Sequence, residues 1–191
     1  MGYVGIPLLL ALSKFKNNIF GYDIDETVVD KLNSGDCHLS IWQERFSKEI
    51  QPNKNAHFIS DLKDVNKIDI AIICVPTPLS VSGYPDHSFV ELAVKSLSEL
   101  NFDPNLIILE STVAPGYTRS TSEKYFKYKL SSNGGKTHIC FSPEREDPGN
   151  ETFSSVEIPK ILSGLTPECL KMGAELYMSV FNHVVKASSL E

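Results

Sequence analysis

Short β-branched runs alternate with longer amphipathic stretches along the whole 191-residue chain, the rhythm of a parallel sheet flanked by helices. The pattern predicts strands at Asn18 to Asp23, Ala56 to Ser60, Asp69 to Val75, Leu106 to Ser111, His138 to Ser142, Lys160 to Ser163 and His183 to Ala187. Helices are expected over Ile6 to Lys16, Asp25 to Asn33, Ser88 to Leu100, Tyr117 to Leu130 and Pro167 to Phe181. Asp69 to Val75 is almost continuously apolar after its start, as befits a strand buried on both faces, and is placed at the sheet centre. Ser80 to Asp86 and Ser131 to Gly135 are rich in turn residues and read as surface loops. The expectation is one α/β domain spanning residues 1–191.

Composition narrows what such a domain can do. With a net charge of -6 and an isoelectric point near 5.4, the chain lacks the basic patch that holds a phosphate backbone, so no nucleic-acid partner is expected. Cys37, Cys74, Cys140 and Cys169 form no CxxC pair and are expected to be reduced thiols, Cys74 and Cys140 within buried strands. The five histidines show neither HxH nor HExxH spacing, so no metal site is expected. Ile6 to Leu12 is apolar but lacks the flanks of a signal peptide, and no run reaches the ~20 residues of a membrane span. A cytoplasmic protein with no membrane association is expected, one in which the Asn150 sequon has no use.

The strongest strands end in Asp23, in Pro76-Thr77-Pro78, in Ser111-Thr112 and in Ser142-Pro143-Glu144. Open α/β sheets bind ligands just beyond the carboxyl ends of their strands, so these ends make one candidate site. Gly2-Tyr3-Val4-Gly5 matches the second half of a GxGxxG loop, in which glycine lets the backbone approach a pyrophosphate at a helix N-terminus. Asp23 ends a strand about 20 residues later, where a carboxylate accepts hydrogen bonds from the adenosine ribose and repels a 2′-phosphate. Together they favour NAD over NADP in a Rossmann-type doubly wound parallel sheet lacking its first strand at the N-terminus. The plainer alternative makes Gly2 and Gly5 turn residues and Asp23 a helix cap. Loss of a central strand leaves neighbouring strands unpaired at ~1–3 kcal/mol per buried polar group, so the isolated chain is expected to fold poorly.

Five segments in order, Gly2 to Leu8, Gly21-Tyr22-Asp23-Ile24-Asp25, Cys74 to Pro78, Glu110 to Gly116 and Phe141-Ser142-Pro143-Glu144-Arg145, resemble the UDP-glucose/GDP-mannose dehydrogenase family. The run from Ser142 to Asn150 is most similar to the branch that oxidises UDP-N-acetylglucosamine or UDP-N-acetylgalactosamine at C6. The resemblance implies oxidation of a C6 hydroxymethyl to a carboxylate with two NAD+, through a cysteine-bound thiohemiacetal and thioester, for surface polysaccharide synthesis. By it, Gly2, Tyr3, Val4 and Gly5 line the pyrophosphate and Asp23 holds the ribose. Val75, Pro76 and Thr77 pass along the cofactor, with Ser111 and Thr112 near the nicotinamide. Thr112 positions a water or substrate oxygen, Glu144 assists thioester hydrolysis as a base, and Arg145 contacts substrate.

Two departures stand against that pattern. Val28 occupies a position often held by Lys or Arg, and none of the four cysteines has the family's nucleophile context. The resemblance also implies that the central helix with its catalytic Lys, the nucleophilic Cys and the UDP-sugar-binding domain lie beyond Glu191. The chain alone is therefore expected to be an inactive NAD-binding piece, with the UDP-sugar partner and homodimer belonging to the full-length protein. Alternatives are a UDP-glucose 6-dehydrogenase or another Rossmann dehydrogenase, and a non-catalytic NAD-binding module or pseudogene product. Locally, Ser111-Thr112 could instead cap the helix from Tyr117, and Glu144 to Asp147 could be a solvated charged loop.

Overall fold

The computed structural model describes residues 1–15, 18–50, 55–144 and 158–190. They fall into two compact units, residues 1–64 and residues 65–144 with 158–190. Arg145 and the Asn150 sequon lie outside the described residues.

The first unit runs α1 (Gly5–Leu12), β1 (Ile19–Tyr22), α2 (Glu26–Asn33), α3 (Ser40–Glu49) and β2 (Ala56–Ile59). β1 and β2 pair in parallel, Ile19 beside Ala56 through Tyr22 beside Ile59. The apolar run that opens the chain is a core helix, with Gly5 to Ala11 all buried. Ile6, Leu9 and Leu10 pack with Val29, Leu32, Phe46 and Phe58 into one cluster. Gly21 permits the close approach of strand and core, because a Cβ there would lie 2.7 Å from the Phe58 ring and 3.1 Å from Leu9. Asp25 caps α2 by accepting from the Thr27 amide at 2.9 Å, which satisfies one of the donors left unpaired at a helix start. Helix α3 was not expected from the sequence: only Phe46 on it is buried, and no side chain caps its start. Its polar face carries the i,i+4 pairs Glu44–Lys48 and Arg45–Glu49 instead.

The second unit holds β3 (Ile70–Ile73), α4 (Ser88–Ser98), β4 (Leu106–Leu109), α5 (Tyr117–Phe126), β5 (His138–Phe141), β6 (Lys160–Gly164), α6 (Pro167–Val180) and β7 (Val184–Lys186). The strands form one sheet in the order β3-β4-β5-β6-β7. Two expectations need correction. The fully buried strand is β4, all four residues of which are enclosed, whereas β3 ends this sheet with Ile70 41% exposed. An apolar run reports burial on average and does not by itself rank strands within a sheet. The sheet is also not wholly parallel, for β6 runs antiparallel to β5, pairing Cys140 with Gly164 and Phe141 with Ser163. A parallel neighbour needs a crossover, usually helical, and the sequence between these two strands carries no helical pattern.

Helix α6 returns the chain to β7, which is parallel to β6. Thr166 caps it by accepting from the Cys169 amide at 3.2 Å, and Pro167 occupies its first turn, where a missing N–H costs nothing. Gly173 brings the helix onto the sheet: a Cβ there would stand 2.6 Å from Cys140 Sγ and 3.2 Å from Leu162. Gly173→Ala is therefore expected to lower stability by about 1–3 kcal/mol, read as a lower urea midpoint with unchanged m-value. The gain in helix propensity, about 1 kcal/mol, opposes the clash without cancelling it, because Cys140 Sγ is fully buried and donates to the Cys169 carbonyl at 3.0 Å.

Candidate functional site

In the first unit, Gly2, Tyr3 and Val4 lead directly into α1, which starts at Gly5. No side chain caps this helix start, and no atom lies within 4 Å of a Cβ built on Gly2. The backbone there is thus open to a ligand, and the positive end of α1 suits an anion. Tyr3 is half exposed. Asp23 follows β1, and its Oδ1 accepts from the Asp25 amide at 3.0 Å while its Oδ2 accepts from the Met1 amine. It is not the cap of α2, a role that Asp25 fills. Gly2 and Gly5 thus open α1 and Asp23 follows β1, the element context that the sequence predicts for each.

In the second unit, β3, β4 and β5 are parallel, so their carboxyl ends share one edge. Val75, Pro76 and Thr77 follow β3, Ser111 and Thr112 follow β4, and Glu144 follows β5. Ser111 is buried, and its hydroxyl donates to the Val75 carbonyl at 2.6 Å, tying two strand ends together. Thr112 is exposed. Neither residue caps α5, which begins after Gly116 at φ 81° with no side-chain cap, so the capping alternative fails. Glu144 is not a solvated loop residue either: its side chain is 15% exposed and pairs with Lys160.

That pairing belongs to a cluster whose other members the sequence reading did not assign. Lys160 Nζ donates to Glu110 Oε2 at 2.7 Å and to Glu144 Oε2 at 3.0 Å. The Tyr177 hydroxyl donates to Glu110 Oε1, and the Glu144 amide donates to the Glu110 carbonyl at 3.1 Å. Lys160 Nζ also lies 5.3 Å from the centre of the Phe181 ring. Glu110 and Tyr177 are 0% exposed and Lys160 is 5% exposed. Because β6 runs antiparallel to β5, its first residue, Lys160, reaches the edge where β4 and β5 end.

Burial dominates the electrostatics. It pushes the Glu110 carboxyl up to about 7, against the opposing pull of Lys160 and the Tyr177 hydrogen bond. Burial also works against the Lys160 charge, but Glu110 and Glu144 outweigh it and leave the ammonium raised above its ordinary value. Burial, then Glu110, holds the Tyr177 hydroxyl well above the ordinary tyrosine range. The Cys74 thiol, just past β3, is driven upward by burial and by Glu110, and burial pushes Cys140 up to about 12. All four cysteines are free, and Cys74 is the one not fully buried. Thiols held so far above neutrality are poor nucleophiles. Among the described residues no group of three or more His, Cys, Asp or Glu could hold a metal ion, and no helix is long and apolar enough to cross a membrane.

The Gly-x-x-Gly turn into a helix and the carboxylate ending the next strand in one unit, and the parallel strand ends in the other, are features of an α/β protein of the Rossmann type. The chain belongs to the UDP-glucose/GDP-mannose dehydrogenase family, whose NAD binding domain matches residues 1–181. It is 31% identical to Protein CapL of Staphylococcus aureus over the whole chain and 44% of that protein. It is 29% identical to UDP-N-acetyl-D-glucosamine 6-dehydrogenase of Pseudomonas aeruginosa, again over the whole chain and 45% of the relative. The solved structure of UDP-D-ManNAc dehydrogenase from Pyrococcus horikoshii superposes with a TM-score of 0.86 at 26% identity, covering 99% of this chain and 46% of that one. The chain thus spans less than half the length of each of these three proteins.

Proposed function

We propose that this chain is the cofactor-binding part of an enzyme that oxidises the C6 hydroxymethyl of a UDP-N-acetylhexosamine to a carboxylate with two NAD+, in the cytoplasm, for surface polysaccharide synthesis. The observation that carries the reading is the placement of Thr112 and Glu144 at neighbouring ends of parallel strands, Glu144 backed by a buried cation. In this reading Gly2, Tyr3, Val4 and Gly5 line the pyrophosphate and Asp23 holds the adenosine ribose. Val75, Pro76, Thr77 and Ser111 lie along the cofactor, which accepts hydride when bound. Thr112 orients a water or substrate oxygen, and Glu144 takes a proton from the water that hydrolyses the acyl intermediate. Arg145 contacts the sugar nucleotide. Recognition of the sugar, the nucleophile and homodimer contacts belong to the rest of the protein. The names of the relatives support a UDP-N-acetylhexosamine over UDP-glucose.

The test is to express the reading frame with its genomic flanks and follow NADH formation with UDP-N-acetylglucosamine, UDP-N-acetylmannosamine, UDP-glucose and small hydroxyacids. Turnover of a UDP-N-acetylhexosamine with NAD+, at two NADH per sugar, is expected, and the 191-residue chain alone should give no turnover. Oxidation of a hydroxyacid, with every UDP-sugar inert, defeats the proposal.

A further inference from the structure

We infer that Lys160 is the positioning residue of Glu144, one ammonium shared between that carboxylate and a competing buried one, Glu110. The inference rests on the reading of Glu144 as the base, and the geometry that motivates it is independent of that reading. Nζ reaches one oxygen of each carboxylate, at 2.7 Å and 3.0 Å, and Tyr177 occupies the other Glu110 oxygen. The Glu144 amide bonds to the Glu110 carbonyl, so the two carboxylates are joined through main chain as well as through the cation.

The charge arithmetic gives this arrangement a use. Among the described residues, Lys160, Glu110 and Glu144 together carry one net negative charge when both carboxylates are ionised, and a single proton on either makes the three neutral. When Glu144 takes a proton, the ammonium stays balanced by Glu110, so no unpaired cation is left in a dry site. When Glu144 releases it, a cation is already in place 3.0 Å away. The groups facing the pair come from each element packed around it: Cys74 beyond β3, Glu110 beyond β4, Lys160 on β6, and Tyr177 and Phe181 from α6 and its end. Burial holds Cys74 and Tyr177 protonated, whereas the Glu110 carboxyl, pushed up to about 7, exchanges a proton near neutrality.

The coupling of Glu144 to Glu110 through Lys160 can be measured, and its part in catalysis is read from the kcat profile, which an ion pair that only stabilises the fold would leave unmoved. Glutamate side chains of the full-length protein are labelled with carbon-13, Glu144 is assigned from the spectrum of Glu144→Gln, and its carboxyl shift is followed against pH. In Glu110→Gln the competing anion is gone and Lys160 serves Glu144 alone, so the Glu144 midpoint is expected to fall by about one pH unit. In Tyr177→Phe the Glu110 midpoint is expected to rise, because its ionised form loses a hydrogen bond. Lys160→Arg should leave Glu144 close to its wild-type midpoint. A Glu144 midpoint that does not move in a folded Glu110→Gln protein overturns the inference. In the complete enzyme, the acid limb of the kcat profile should shift in the same direction. Turnover of a UDP-sugar with an unmoved Glu144 midpoint defeats the clamp alone, whereas a moved midpoint without any UDP-sugar turnover defeats the dehydrogenase reading and keeps the clamp.

Discussion

Lys160→Met is expected to destabilise the protein by about 3–5 kcal/mol, the cost of leaving buried carboxylates without their cation. Its loss removes the cation from Glu110, which has no exposed surface, and from Glu144, whose side chain is 15% exposed. Glu110, pushed up by burial, can relieve the penalty by taking up a proton, so the deficit should be largest above pH 7 and should shrink toward acid pH. Glu110 already behaves this way in the parent protein. Its folded value of about 7 lies above its ordinary 4.5, so its contribution to stability is fully present below 4.5 and lost as pH rises through 7. Adding Glu110→Gln to Lys160→Met should recover part of the loss, since one of the two stranded charges is then neutral. Urea midpoints of the parent, Lys160→Met, Glu110→Gln and the double variant at acidic, neutral and mildly alkaline pH check this. A Lys160→Met protein as stable as its parent at pH 8 would show that the ion pairs do not form in solution.

That cluster also shows what a sequence of this kind hides. The alternation of strands and helices, the glycine pair, Asp23 and the strand-end residues were legible because each follows from a local pattern: periodicity, turn chemistry or a fixed spacing. Glu110 stands within a recognisable segment, and a carboxylate directly after the four buried residues Leu106 to Leu109 could have been marked as a group needing a partner. Its partner could not have been found, because Lys160 is 50 residues away and is delivered by an antiparallel strand. Tyr177 is 67 residues from Glu110, on a helix face that reads as ordinary core. Helix α3 was missed for the opposite reason: its one buried residue, Phe46, leaves no apolar stripe to read, and ion pairs between exposed residues carry little weight in any pattern.

Asp23→Ala is expected to weaken NAD binding to the chain by roughly 10- to 100-fold, the loss of one charge-assisted hydrogen bond at about 1.5–3 kcal/mol. The carboxylate stands at the end of β1, with its side chain 18% exposed, and the Asp25 amide holds Oδ1 in place at 3.0 Å. The alanine variant loses that turn hydrogen bond too, so Asp23→Asn separates the turn from the charge: it keeps an acceptor for Asp25 and removes the charge, and with it the ion pair to the Met1 amine. Asn should therefore hold the urea midpoint better than Ala while weakening NAD and narrowing the preference for NAD over NADP, since a 2′-phosphate no longer meets a fixed negative charge. Calorimetric titrations of both dinucleotides into the three proteins give the comparison. Equal NAD affinity in all three, with the fold intact, would mean that Asp23 serves the turn at Asp25 and that the adenosine ribose is held elsewhere.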